Sequence, residues 1–372
     1  MKKLRKTQVA AAVGAALFVA GTTVYAQTAP TVQVYGQVSR ALLFADDGVQ
    51  SKWFHVDNEA SGTRFGFTGT GQALPGLRYG FRIELDLQSN ESQLVNFSPT
   101  GPVSNFPGTA SGAGFNERHM DAWVEGGWGR VNIGQGDGAA NGATESDLSG
   151  TGMANGIGVA DLGGGFQHRT GVAGFSGTTV GQSINQQDFE SRYDRLMYVT
   201  PTFGGFRAQA SWGQSGNADV TEISAWYGAK MGGLGELAAA VGWSEQKGSA
   251  TTRADETIGG SISWLHGSGF NLTYSYSNHD QPTALTGAAR DSTFNYIKAG
   301  FKRGAHAFAV DYAMGDDFAA AGDEAKMYGI GYVWNPVRWL ELYAAYKIHE
   351  LDRGALTLED VTIGTIGTRI RF

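Results

Sequence analysis

From Leu77 to Asn90 the chain reads LRYGFRIELDLQSN, with Leu77, Tyr79, Phe81, Ile83, Leu85 and Leu87 on one parity and Arg78, Arg82, Glu84, Asp86 and Gln88 on the other. Successive side chains of a strand point to opposite faces, so this period of two predicts a strand with one apolar and one charged side. Ten steps of about 3.3 Å carry it roughly 33 Å, or about 25 Å of height at a tilt near 40°. That height matches the apolar band of a membrane barrel. A soluble sandwich strand with its charged face in water has the same alternation, and one strand does not decide between them.

The alternation recurs from end to end. Sixteen segments carry it: 31–44, 62–72, 77–89, 117–127, 129–137, 190–200, 206–214, 219–231, 235–246, 255–265, 269–278, 292–302, 304–314, 325–335, 338–349 and 361–372. In FNLTYSY, Phe270, Leu272, Tyr274 and Tyr276 oppose Asn271, Thr273 and Ser275. Short connections such as Ala73 to Gly76 and His266 to Gly269 follow the even segments, and longer ones follow the odd segments. An even strand count with short turns on one side and long loops on the other is the layout of an outer-membrane barrel. Trp128, Phe203, Phe206, Trp264, Phe270, Trp334, Trp339 and Phe372 sit where strands meet short turns, as an interfacial girdle would.

Composition narrows the choice. Lys2, Lys3, Arg5 and Lys6 precede an apolar run from Val9 to Ala20 and the small-residue end Val24-Tyr25-Ala26, which reads as a signal peptide over residues 1–26. Its removal takes the formal charge from −7 to −11, and an acidic balance argues against a nucleic-acid partner. No cysteine is present, so disulfides and thiolate metal sites are excluded. After residue 26 no apolar run approaches the roughly 18 residues of a spanning helix. In lipid every backbone polar group must pair within the protein, which leaves a closed barrel. The fold expected is therefore all-β: a transmembrane antiparallel β-barrel of 16 strands over 27–372, wide enough for a watery lumen.

Four stretches then carry a resemblance: TVQVYGQVSRAL (Thr31 to Leu42), SGTRFGFTGTGQALPGLRYGFRIELDL (Ser61 to Leu87), GGWGRVNIGQGD (Gly126 to Asp137) and MYVTPTFGGFRAQASW (Met197 to Trp212), with TIGTRIRF at the end. In order and spacing they resemble the general diffusion porins of Gram-negative outer membranes. The resemblance implies a homotrimer of sixteen-stranded barrels in outer-membrane lipid, each narrowed by an inward-folded third loop whose acids oppose a cluster of arginines. It also implies that Phe372 is the signal read by the barrel-assembly machinery.

On this resemblance the constriction loop is about 138–189, and Glu145, Asp147 and Asp161 are its acids. The family's loop often carries a proline-glutamate element absent here, which leaves the acid at the narrowest point open. A connection of that length is otherwise a disordered linker. For the basic side, Arg64 carries over from SGTRFGF, and Arg82 is luminal by alternation. Arg118 occupies the family's place on the fourth strand, yet its parity joins it to Met120, Ala122 and Val124. Either His119, Asp121 and Glu125 face a neighbouring subunit, or Arg118 is not luminal. Arg192 and Arg195 compete for the third place, and Arg195 has the better parity. Arg40 breaks the lipid parity of Val32, Val34 and Val38, which reads as a contact at the trimer interface.

The seven histidines form no H-E-x-x-H pattern and no G-x-S-x-G occurs, so no catalytic residue is assigned. The reading calls for no cofactor or metal. It predicts a channel for passive diffusion of small hydrophilic solutes and ions. The alternatives are a substrate-specific channel for sugars or anions, or a plugged barrel with an adhesive or structural role.

Overall fold

The structure is a computed structural model that describes residues 30–97, 116–172, 174–286 and 288–372. The expected signal segment, 1–26, lies outside the described residues. Strands β1 (Thr31–Asp46), β2 (Ser51–Asp57), β3 (Arg64–Leu74), β4 (Leu77–Asp86), β5 (Asn116–Gly126) and β6 (Gly129–Asp137) come first. A long inner loop follows, containing β7 (Gln167–Arg169), β8 (Phe175–Thr179) and the one-turn helix α1 (Val180–Ser183). The wall resumes with β9 (Arg192–Val199), β10 (Phe206–Ser215), β11 (Ala218–Lys230), β12 (Glu236–Gln246), β13 (Asp255–Leu265) and β14 (Phe270–Asp280). It closes with β15 (Asp291–Arg303), β16 (His306–Asp316), β17 (Asp323–Val337), β18 (Leu340–Arg353) and β19 (Val361–Arg371).

Every wall pairing is antiparallel, and β1 pairs with β19 from Gln37↔Arg371 to Asp46↔Thr362, so the sheet closes on itself. β2 and β3 are two halves of one stave. β2 pairs with Arg40 to Asp46 of β1 and β3 with Thr31 to Gln37, with a 3-10 turn at Glu59–Ser61 between them. The barrel therefore has sixteen staves. Alternation is cleanest in β14, where Phe270, Leu272, Tyr274 and Tyr276 are exposed to the lipid side while Asn271, Thr273, Ser275 and Ser277 are buried inside.

Two connections expected to be long are tight. The first is the four-residue turn 47–50, because β1 runs on to Asp46 and β2 returns beside it. β2 escapes a period-two reading because its inward side chains, Phe54 and Val56, are apolar: they pack on Phe97, Phe166 and other residues inside the barrel. The second is Gly216-Asn217, a two-residue turn between β10 and β11, with Gly216 at φ 58°. Arg40 is also resolved within the chain. Its guanidinium lies 3.3 Å from Asp57 and donates to Ser89 O at 3.0 Å, across the break between β2 and β3. It needs no neighbouring subunit as counter-ion.

The last residue locks the seam. Phe372 N donates to Gly36 O and Gly36 N to Phe372 O, each at 3.0 Å, and the ring covers Gly36. A Cβ at Gly36 would lie 2.6 Å from that ring and 2.7 Å from Arg64 O. Gly36→Val is expected to destabilise the folded barrel by about 1–3 kcal/mol through overpacking. The check is a lower temperature for loss of the folded band on semi-native gels, with an unchanged transition refuting the seam's tightness.

Candidate pore constriction

The inner faces of β10, β11, β13 and β14 carry small hydroxyl residues, and the loop 138–191 hangs on them. Ala139 N donates to Ser211 Oγ at 2.8 Å, Ser146 N to Ser261 Oγ at 2.8 Å, and Leu148 N to Ser263 Oγ at 2.9 Å. In the other direction Ser261 Oγ donates to Ala143 O and Ser275 Oγ to Thr144 O, both at 2.7 Å. A hydroxyl can donate or accept, so one serine type serves both kinds of backbone group. Glu222 spans the loop's two ends, accepting from Ala140 N at 2.9 Å and Glu190 N at 3.2 Å.

Farther round the wall the anchors are charged. Lys298 of β15, with a side chain 0% exposed, places Nζ 2.8 Å from Asp147 Oδ2 and also donates to Asn155 O. Asn155 in turn donates to Asp311, and Lys347 Nζ donates to Val159 O at 3.3 Å. Asp147 was expected among the acids facing the arginines; it faces the opposite wall instead. Burial works to raise its carboxyl, but the Lys298 charge and hydrogen bond outweigh that and hold it below its ordinary 3.8. Apolar clusters fill the space behind the loop, one around Leu43, Leu162, Phe166 and Ile363, another around Ile157, Val159, Phe294 and Met327.

The other acids remain on the open side. Glu145 is exposed, receives Gln186 Nε2 at 3.1 Å and lies in the field of Asp137 and Arg192. Asp161 lines a space of about 660 Å³ with Asp188 and Gln93. Burial, then the charges of Glu59 and Glu145, push it up to about 8.

The wall from β3 to β9 is left uncovered and carries the arginines. Arg64 donates from Nη2 to Ser61 Oγ at 3.1 Å and has Nε 3.8 Å from Glu84. Arg118 sits in a bulge: Glu84 pairs with His119 and Leu85 with Glu117, so Arg118 is the extra residue. Freed from the ladder, it turns inward, with Nε 2.9 Å from Glu84 and Nη1 3.3 Å from Asp86. This settles the parity conflict: His119, Asp121 and Glu125 face the lumen, and Arg118 does as well. Arg82 Nη2 lies 3.6 Å from Asp137 Oδ2, and Arg192 Nη1 lies 3.7 Å from Asp137 Oδ1. Arg195 is different. Its side chain is 1% exposed and is spent on Asp121 at 2.8 Å, Gly134 O at 2.6 Å and Asp137 O at 2.7 Å. Arg192, 29% exposed, is the freer of the two.

Sequence reasoning missed Glu84, Glu222 and Lys298 as the groups that organise the site. Their signal was position: each is a charge on a luminal parity, and Lys298 follows buried Phe294 and Tyr296 on that face.

Lys298→Met leaves the Asp147 carboxylate buried and unpaired, at a cost of about 3–5 kcal/mol, while adding Asp147→Leu restores most of it. Limited proteolysis of the loop in detergent reads this directly. Because the folded pKa of Asp147 is depressed, the anchor is fully present above its ordinary value and is lost as pH falls through the lower folded value. Proteolysis by an acid-tolerant protease should therefore rise below about pH 4 in the wild type. An equally steep rise in the Lys298→Met/Asp147→Leu variant would refute the assignment.

The sequence model for Gram-negative porins matches residues 10–353. No curated protein sequence matches the chain significantly. Among solved structures, the chain is similar to an anion-selective porin from Comamonas acidovorans, at 20% identity and a TM-score of 0.65, over 92% of this chain and 100% of that one. A trimer form of OmpT from Vibrio cholerae gives 14% identity and 0.59 over 93% of this chain and 100% of that one. Salmonella typhi OmpF gives 13% and 0.60 over the same shares. With a family match spanning nearly the whole chain and a closed sixteen-stave barrel, the chain belongs to the Gram-negative porins, outer-membrane channels for passive diffusion.

Proposed function

We propose that the protein is a general diffusion pore for small hydrophilic solutes and ions, narrowed by the loop 138–191 and working without a chemical reaction. Arg64, Arg82, Arg118 and Arg192 form the basic side of the narrow zone, and Glu145 and Asp161 the acidic side. Asp147 serves as the loop's anchor and Arg195 as a fixture of the wall. The observation that carries this reading is the division of the inner surface: the loop is bonded to the side from β10 to β18, and the arginines lie on the side it leaves bare. Ions crossing there pass within a screening length of about 10 Å of both sets of charges.

Arg192→Ser is expected to move the reversal potential in a KCl gradient toward cations, and Glu145→Gln toward anions. Because burial, then the charges of Glu59 and Glu145, push the Asp161 carboxyl up to about 8, the wild type should become more cation-preferring as pH rises through that value. Burial also raises Asp188 and pushes Glu190 up to about 7, so Asp161→Asn should lessen this pH dependence without removing it; an unchanged dependence would remove Asp161 from the narrow zone.

The assembly proposed is a homotrimer, supported by the trimer form of the Vibrio cholerae neighbour. Phe372, at the seam, is proposed as the signal for the barrel-assembly machinery. Unheated extracts should run as an oligomer that boiling reduces to a monomer, and deleting Phe372 should deplete that band in outer membranes. A monomeric mass by light scattering in mild detergent would exclude the trimer.

A further inference from the structure

Between the inner loop and the short turns the lumen opens into a chamber of about 940 Å³. Four arginines reach it: Arg82, Arg130, Arg195 and Arg207. Three of them have carboxylates, Asp137 for Arg82, Glu125 for Arg130 and Asp121 for Arg195. Arg207 has none among the described residues, and its buried Nε has no hydrogen-bond partner. Arg207 is half-buried with its Nε closed off from water, and a guanidinium so placed without a counter-ion is poised for an anion, which it can take through two parallel hydrogen bonds.

Its surroundings restrict which anion. The guanidinium lies over the Trp226 ring at 5.4 Å from the centroid, and Trp226 Nε1 donates to Ser224 Oγ at 2.8 Å, which fixes the indole. Register sets Arg207 opposite Trp226 on one side, while Met197, Val199 and Pro201 line the chamber on the other. A small inorganic anion would satisfy the charge and leave this apolar floor in water. A carboxylate borne on a flat apolar ring would satisfy the charge and cover the floor.

We propose that Arg207 and Trp226 form a binding subsite for small aromatic carboxylates, between the narrow zone and the periplasmic mouth. It deepens the open-pore reading and rests on it. A ligand held there occupies part of the ion path, so binding is visible as a saturable loss of KCl current.

The test is planar-bilayer recording of the assembled protein with sodium benzoate or sodium acetate added, each block being scaled to that variant's own KCl current. Benzoate should block the wild type saturably and acetate only weakly. Arg207→Gln should raise the half-blocking benzoate concentration by about tenfold or more, the equivalent of one charged hydrogen-bonded contact. Trp226→Leu should weaken benzoate block and leave the acetate response as it was, and it carries the test alone if Arg207→Gln does not insert. Equal benzoate block in wild type and variants, acetate as effective as benzoate, or no saturable block in a wild type that conducts KCl would each overturn the subsite. A wild type that conducts no KCl would overturn the open-pore reading itself.

Discussion

A long loop can lie inside a barrel only if its backbone amides and carbonyls find partners there. Unpaired, each buried group forfeits a hydrogen bond it would have made with water. Most other features of the lumen follow from how this chain meets that demand. Ser211, Ser261, Ser263 and Ser275 stand on the inner face at the heights where the loop's polar groups arrive. Small residues beside them and farther round the same half let the loop come close: a Cβ at Gly259 would fall 2.9 Å from Thr144 Cγ2, and one at Gly331 1.3 Å from Asn155 Oδ1. The serines and glycines on one half of the barrel are thus the reason the other half stays open.

Charge is divided in the same way. Asp147 with Lys298, and Asp311 with Asn155, hold the loop to the wall. Glu84 and Asp86 hold Arg118, and Asp121 holds Arg195. What remains for passing ions is a smaller set than the acids and bases of the lumen taken together. In the proposed constriction Arg192 and Glu145 belong to that set, because neither is fully consumed by its neighbours.

The barrel was legible in the sequence because lipid imposes period two on every stave, as in β14. β2 was not, since its inward neighbours are apolar loop residues rather than water, and the pattern inverts at Phe54 and Val56. The parity of Arg118 conflicted with a luminal place because a bulge adds one residue to β5, and sequence alternation does not reveal a bulge. Asp147 read as a pore acid because its partner, Lys298, is 151 positions away, and nothing local ties the two together.

The seam has a consequence for how the barrel comes into being. β1 is hydrogen-bonded on one flank to the next stave and on the other to β19, so its second flank has no partner until the last residues of the chain are in place. Contacts between the two ends of a chain are slow to form, and two open strand edges invite pairing with other molecules meanwhile. Until Phe372 reaches Gly36 the sheet keeps two open edges, and only closure removes them. In kinetic terms the final step protects everything made before it.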